Sequence, residues 1–151
     1  MSIEDDIATF MRVPALRMLG QNVLQVIAIG AEQRDFRSGD VLFRTGDEAD
    51  AGFVVKRGSF RVAAEDAAGG EVIARPGDLL GELALLVAMA RPSTAIALEP
   101  SSVLRVSRSL FQRVLESHPQ AAKRLRDDLA ARTNEAASSA SVNTPNSPRL
   151  P

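Results

Sequence analysis

The sequence predicts a mainly β fold, an antiparallel β-roll or jelly roll with helices at both ends. Three observations carry that. Helix-type spacing of apolar residues stops near Gly30 and returns after Val106. Between them lie short runs of β-type residues, separated by turn signals with glycines at positions 39, 46, 58, 70, 77 and 81. Within those runs, Phe60 and Val62, and again Val72 and Ala74, alternate with other residues as half-buried antiparallel strands do.

Taken in order, residues 2–11 read as a helix, with Ser2 and Asp5 set as a capping box and Ile3, Ile7, Phe10 and Met11 on one face. Val13-Pro14 breaks it. Leu16, Leu19, Val23, Leu24, Ile27 and Ala28 give a second helical pattern, split near Gly20, with Gly30 placed to end it. Strands are expected at 41–44, 53–56, 60–63, 71–74, 94–98 and 103–106. The turns between them include Ser38-Gly39-Asp40, Thr45-Gly46-Asp47, Arg57-Gly58, Gly69-Gly70 and Pro76-Gly77-Asp78, whose aspartates read as turn formers. After Val106 comes a helix capped by Ser107 or Ser109, with Leu110, Phe111, Val114 and Leu115 inward, stopped at His118-Pro119. A last helix runs from Pro119 to about Thr133 along a stripe of Ala121, Ala122, Leu125 and Leu129. The expected organisation is one domain over 1–134 and a disordered tail over 135–151, rich in Ala, Ser, Asn and Pro.

Composition narrows the function. The chain has 151 residues, 45% hydrophobic and 25% charged, with a net charge of −1, so no basic excess marks a nucleic-acid or anionic-membrane binder. Cysteine is absent, which excludes disulfides and thiol chemistry. Glu4, Asp5 and Asp6 stand where a signal peptide has positive charge, and Leu83–Ala90 is far shorter than the roughly 20 apolar residues of a membrane span. A soluble, cytoplasmic protein without membrane insertion is expected. A single histidine excludes the several-histidine metal site of β-roll metalloenzymes, and no nucleophile with a paired base is visible. No catalytic residue, metal or cofactor is therefore assigned.

The stretch around which the chain is organised is 79–95. Glu82 and Arg91 bracket the uncharged run Leu83 to Ala90. The expectation is a short buried helix over Leu83–Met89 whose first amides face an anion, with Glu82 as an acceptor at its start and Arg91 as a forked phosphate donor. Gly81-Glu82-Leu83-Ala84-Leu85, a short spacer, then Arg91-Pro92-Ser93-Thr94-Ala95 resembles the phosphate-binding cassette of cyclic nucleotide-binding domains. The resemblance extends over about residues 8–133, through Ser38-Gly39-Asp40-Val41-Leu42-Phe43 then Gly46-Asp47, Val54-Val55 with Gly58, Pro76-Gly77-Asp78 and Phe111 with His118-Pro119.

That resemblance implies a site. Arg91 would hold the phosphate oxygens with the amides of Leu83 and Ala84, Glu82 would accept from the ribose 2′-hydroxyl, and Gly81 would let the backbone come close. Pro92 departs from the family pattern. It has no N–H where the family uses one, a loss of roughly 1.5–3 kcal/mol unless a hydroxyl of Ser93 or Thr94 replaces it. The absence of the threonine that cyclic GMP-responsive relatives carry after the arginine leans towards cyclic AMP. With no Trp or Tyr in the chain, a purine lid on the last helix falls to Arg124, Leu125 or Leu129. Plainer readings stand beside these: Glu82 as a helix-dipole residue, Arg91 as a structural arginine, the leucines as core.

Two functions follow. One is a stand-alone cyclic nucleotide sensor that regulates an unknown protein partner by moving its C-terminal helices, without direct nucleic-acid contact. The other is a protein-interaction module that kept the fold and lost the ligand.

Overall fold

The structure, a computed structural model, describes residues 2–64 and 70–143, with side chains described as far as residue 131. Three helices come first: α1 (Ile3–Met11), α2 (Pro14–Arg17) and α3 (Gln21–Gly30). Ser2 caps α1, its Oγ accepting from Asp5 N at 3.1 Å. Gly20, at φ 94°, makes the expected break before α3. Gly30 ends α3, as the sequence suggested, without a left-handed turn. A Cβ there would lie 2.9 Å from Leu110, so the residue is small to let the two helices meet.

Ten strands follow: β1 (Glu32–Phe36), β2 (Val41–Phe43), β3 (Glu48–Ala49), β4 (Ala51–Arg57), β5 (Phe60–Ala64), β6 (Glu71–Ala74), β7 (Leu79–Leu80), β8 (Met89–Ala90), β9 (Ser93–Ala97) and β10 (Ser101–Ser107). They form two four-stranded sheets, β1-β10-β4-β7 and β2-β9-β5-β6, with a small β3-β8 ladder, all antiparallel. This is the predicted β-roll. Phe43, Phe53, Val55, Phe60, Ala95 and Val103 fill the space between the sheets. Helices α4 (Arg108–Ser117) and α5 (Pro119–Asn143) close the chain. A second core, with Phe10, Leu24, Ile27, Phe111 and Leu125, joins them to α1–α3 and to the back of β4 and β10.

One turn is used three times. Arg37-Ser-Gly-Asp40, Arg44-Thr-Gly-Asp47 and Arg75-Pro-Gly-Asp78 each have a glycine near φ 92–93°. In each, the Asp Oδ2 accepts from the N–H three residues earlier, at 2.8, 3.0 and 2.8 Å. The aspartates are turn formers, as read. Gly69 of the expected Gly69-Gly70 turn lies outside the described residues.

Two expectations are corrected. The last helix does not stop near Thr133 but continues to Asn143. The sequence there is rich in alanine, which favours helix even without an apolar stripe. Of the segment 135–151 read as a disordered tail, residues to 143 are thus helical, and 144–151 lie outside the described residues. The expected helix over Leu83–Met89 is instead a single 3-10 turn, Glu82–Leu85, and Met89–Ala90 is strand. Leu83 and Val87 are 59% and 53% exposed rather than buried. Pairing of β8 with β3 takes the far end of the segment away from any helix.

Candidate functional site

Gly81 opens the cassette in the left-handed region, at φ 82°, turning the chain from β7 into the 3-10 turn. Its missing side chain has a specific use. A Cβ there would stand 2.5 Å from Arg91 Nη1 and 3.3 Å from the Ala51 carbonyl oxygen. Glycine is required both for the backbone angle and for the guanidinium pressed against it.

Arg91 is buried, 5% exposed. Its Nη2 donates to Ala51 O at 2.8 Å. Its Cζ lies 4.4 Å from the ring centre of Phe43 and 5.3 Å from that of Phe53. Its main chain is tied to the second of the repeated turns, Arg91 N donating to Asp47 O and Gly46 N donating to Arg91 O, both at 2.8 Å. Burial lowers the guanidinium's pKa from its ordinary value; the charges of Asp50 and Asp47 raise it and that of Arg105 lowers it further. A buried cation of this kind invites an anion to replace the solvation it has lost.

Phe43, Val62, Leu80, Gly81, Glu82, Leu83, Met89, Arg91, Pro92 and Ser93 line one cavity of about 230 Å³. The lining is apolar around a single guanidinium and a single carboxylate. Glu82 also borders a gap of about 10 Å³, one water in size, on the other side of the turn, and it is not without a partner. Among the described residues no group of three or more His, Cys, Asp or Glu could hold a metal ion. No helix among them is long and apolar enough to cross a membrane.

A family model described as "Cyclic nucleotide-binding domain" matches residues 33–118, more than half of the chain. The chain belongs to that family. The solved structure of a cyclic nucleotide-binding-like protein from Brucella abortus is 35% identical, with a TM-score of 0.64 over 74% of this chain and 98% of that one. Among curated proteins, a lysophospholipase, nte1, from Neurospora crassa is 33% identical over 63% of this chain and 6% of its own length. An HTH-type transcriptional regulator, Cmr, from Mycobacterium tuberculosis is 29% identical over 78% of this chain and 49% of its own. The chain thus spans only a part of the curated relatives it matches, and the match to the lysophospholipase is confined to a small fraction of that enzyme.

Seen as a cyclic nucleotide-binding domain, the chain brings Gly81, Glu82, Leu83, Arg91, Pro92 and Ser93 to one cavity. It does not bring the others there. Ala84 is fully buried, and its N–H donates to Gly81 O at 3.0 Å, closing the 3-10 turn rather than facing an anion. Thr94 points to the other face of β9, where its Oγ1 accepts from Thr45 N at 2.9 Å and lies 3.1 Å from Thr45 Oγ1. Of the replacements considered for the amide missing at Pro92, only Ser93 is therefore placed at the cavity.

None of the three lid candidates lines it. Arg124 donates from Nε to Met18 O at 2.8 Å and from Nη2 to Leu19 O at 2.9 Å, joining α5 to the end of α2. Leu125 is 5% exposed in the helical core. Leu129 packs with it against Leu85 and Leu86 on the side of the turn away from the cavity.

Three residues of the site were not legible in advance. Phe43 and Phe53 stack on Arg91 from opposite sheets. Arg108, the first residue of α4, donates from Nη1 to Ala49 O at 3.0 Å, Ala84 O at 3.1 Å and Val87 O at 3.0 Å. It therefore joins the later part of the cassette turn and the residue pair after it to a C-terminal helix. Only its place next to the Ser107 cap, whose Oγ accepts from Leu110 N at 3.1 Å, hinted that its side chain starts at a helix end.

Proposed function

We propose that this domain senses a cyclic nucleotide, cyclic AMP in preference to cyclic GMP, and regulates a protein partner by shifting α4 and α5. The observation that carries this is the buried Arg91 guanidinium, which borders the same cavity as Gly81 and Glu82. The cavity is slightly smaller than the roughly 300–1,000 Å³ of common ligand pockets. It suits the cyclic phosphate and ribose, with the purine emerging over Val62 and the exposed Val72 beside it. In this reading Arg91 takes the phosphate oxygens, Ser93 supplies a hydroxyl in place of the amide lost at Pro92, and Glu82 accepts from the 2′-hydroxyl. Arg108 offers the route from the turn to α4. The domain has no catalytic role, makes no direct nucleic-acid contact and works in the cytoplasm.

A second reading is favoured by two particular facts, the Ala84 amide engaged with Gly81 and the proline at 92. In it the domain is a ligand-free interaction module. Calorimetry with cyclic AMP, cyclic GMP and linear AMP separates the two. The sensor reading expects saturable binding, tightest for cyclic AMP. Arg91→Ala should then cost about 2–5 kcal/mol, tens- to thousands-fold in affinity, with the fold checked by circular dichroism. Absence of binding by every nucleotide leaves the interaction module.

A further inference from the structure

Resting on the phosphate-site reading above, we propose that Phe43, assisted by Phe53, is a positioning residue that aims Arg91 at the ligand. The two rings come from different sheets, Phe43 from β2 and Phe53 from β4, and stand 6.0 Å apart at an interplanar angle of 31°. Both lie within cation–π range of the same guanidinium, at 4.4 and 5.3 Å. The guanidinium has five N–H donors in one plane. Rings attract the cation through their own π faces and need no N–H donor to do so. A carboxylate in their place would fill the donor edge and compete with an incoming phosphate for the same charge. The edge geometry follows. One of the two Nη2 hydrogens is used on Ala51 O, and Nη1 lies against Gly81 at the cavity wall. Phe43 itself borders the cavity, so its ring holds the guanidinium where a phosphate would meet it.

The test starts from Phe43→Leu, which keeps apolar bulk and removes the ring, and Phe43→Tyr, which keeps the ring. Phe43→Leu should weaken cyclic AMP binding by about 5- to 30-fold, and Phe43→Tyr should restore it. Without any nucleotide, a double-mutant cycle of Phe43→Leu with Arg91→Met, read by urea unfolding, should show a coupling of about 3- to 30-fold in the unfolding constant. The Arg91 Nε–H resonance should lose the Phe43 part of its ring-current shift in Phe43→Leu and keep it in Phe43→Tyr. No coupling in the cycle, or an unmoved resonance, overturns the proposal, as does unaltered binding by Phe43→Leu in a protein that binds cyclic AMP. Should the wild type bind no nucleotide, the sensing function fails while the cycle and the resonance still decide whether the rings hold Arg91.

Discussion

Gly81→Ala separates two costs that glycine substitutions usually mix. The first is the backbone: an L-residue in the left-handed region costs about 1–2 kcal/mol. Gly39→Ala isolates that cost, because Gly39 has φ 92° and nothing within 4 Å of a Cβ. The second is the clash. At Gly81 the new Cβ would stand 2.5 Å from Arg91 Nη1, so the guanidinium must retreat by about 0.9 Å to reach an ordinary contact of 3.4 Å. Arg91 is packed on two rings and bonded to Ala51 O, and that charge-assisted bond, worth about 1.5–3 kcal/mol, is what gives way. Gly39→Ala should therefore cost about 1–2 kcal/mol and Gly81→Ala about 2.5–5. At roughly 2–4 °C per kcal/mol for a chain of this size, the Gly81 variant melts about 5–20 °C lower. Calorimetry should show at least a tenfold weaker cyclic AMP affinity for Gly81→Ala and none for Gly39→Ala beyond error, since a displacement of this size spoils hydrogen-bond geometry. Equal melting of the two variants, with wild-type affinity in both, would refute the close packing of Gly81 on Arg91.

Arg108→Met should destabilise by about 2–4 kcal/mol in urea unfolding. One Nη1 with two hydrogens serves three carbonyls, and its loss removes a donor from Ala49, Ala84 and Val87 together. Hydrogen exchange should rise jointly in 82–90 and 108–117; a rise in one segment alone would show that they are not mechanically joined. Leu125→Ala should cost about 2–4 kcal/mol as a core truncation yet change cyclic AMP affinity by less than about threefold, because Leu125 lies behind the cassette turn. A larger affinity loss at unchanged stability would return Leu125 to the role of a lid.

The roll was legible because its signals are local. Turn glycines and alternation in β5 and β6 need no knowledge of distant residues. Strand β1 was not legible, since Glu32, Arg34 and Asp35 make it read as loop, and it is strand only because β10 offers it an edge. At the site, Gly81, Glu82 and Arg91 stood out by their spacing, whereas Phe43, Phe53 and Arg108 reach it from far along the chain. Thr94 is a different case. Strand alternation places Thr94 opposite Ala95, but which of the two faces the core is decided by the packing of Ala95 between the sheets. The lid candidates lie away from the cavity for a physical reason: α5 uses Leu125 and Leu129 to attach to the helical core.

Both main-chain groups of Arg91 are bonded to the Arg44–Asp47 turn, one on each side of its Cα. That makes the arginine the stationary jaw of a vice whose frame is the roll. In the sensor proposed above, closing on a ligand would be travel by the opposite jaw, the Gly81–Leu85 segment, and the carbonyls gripped by Arg108 would turn that travel into a pull on the first residue of α4.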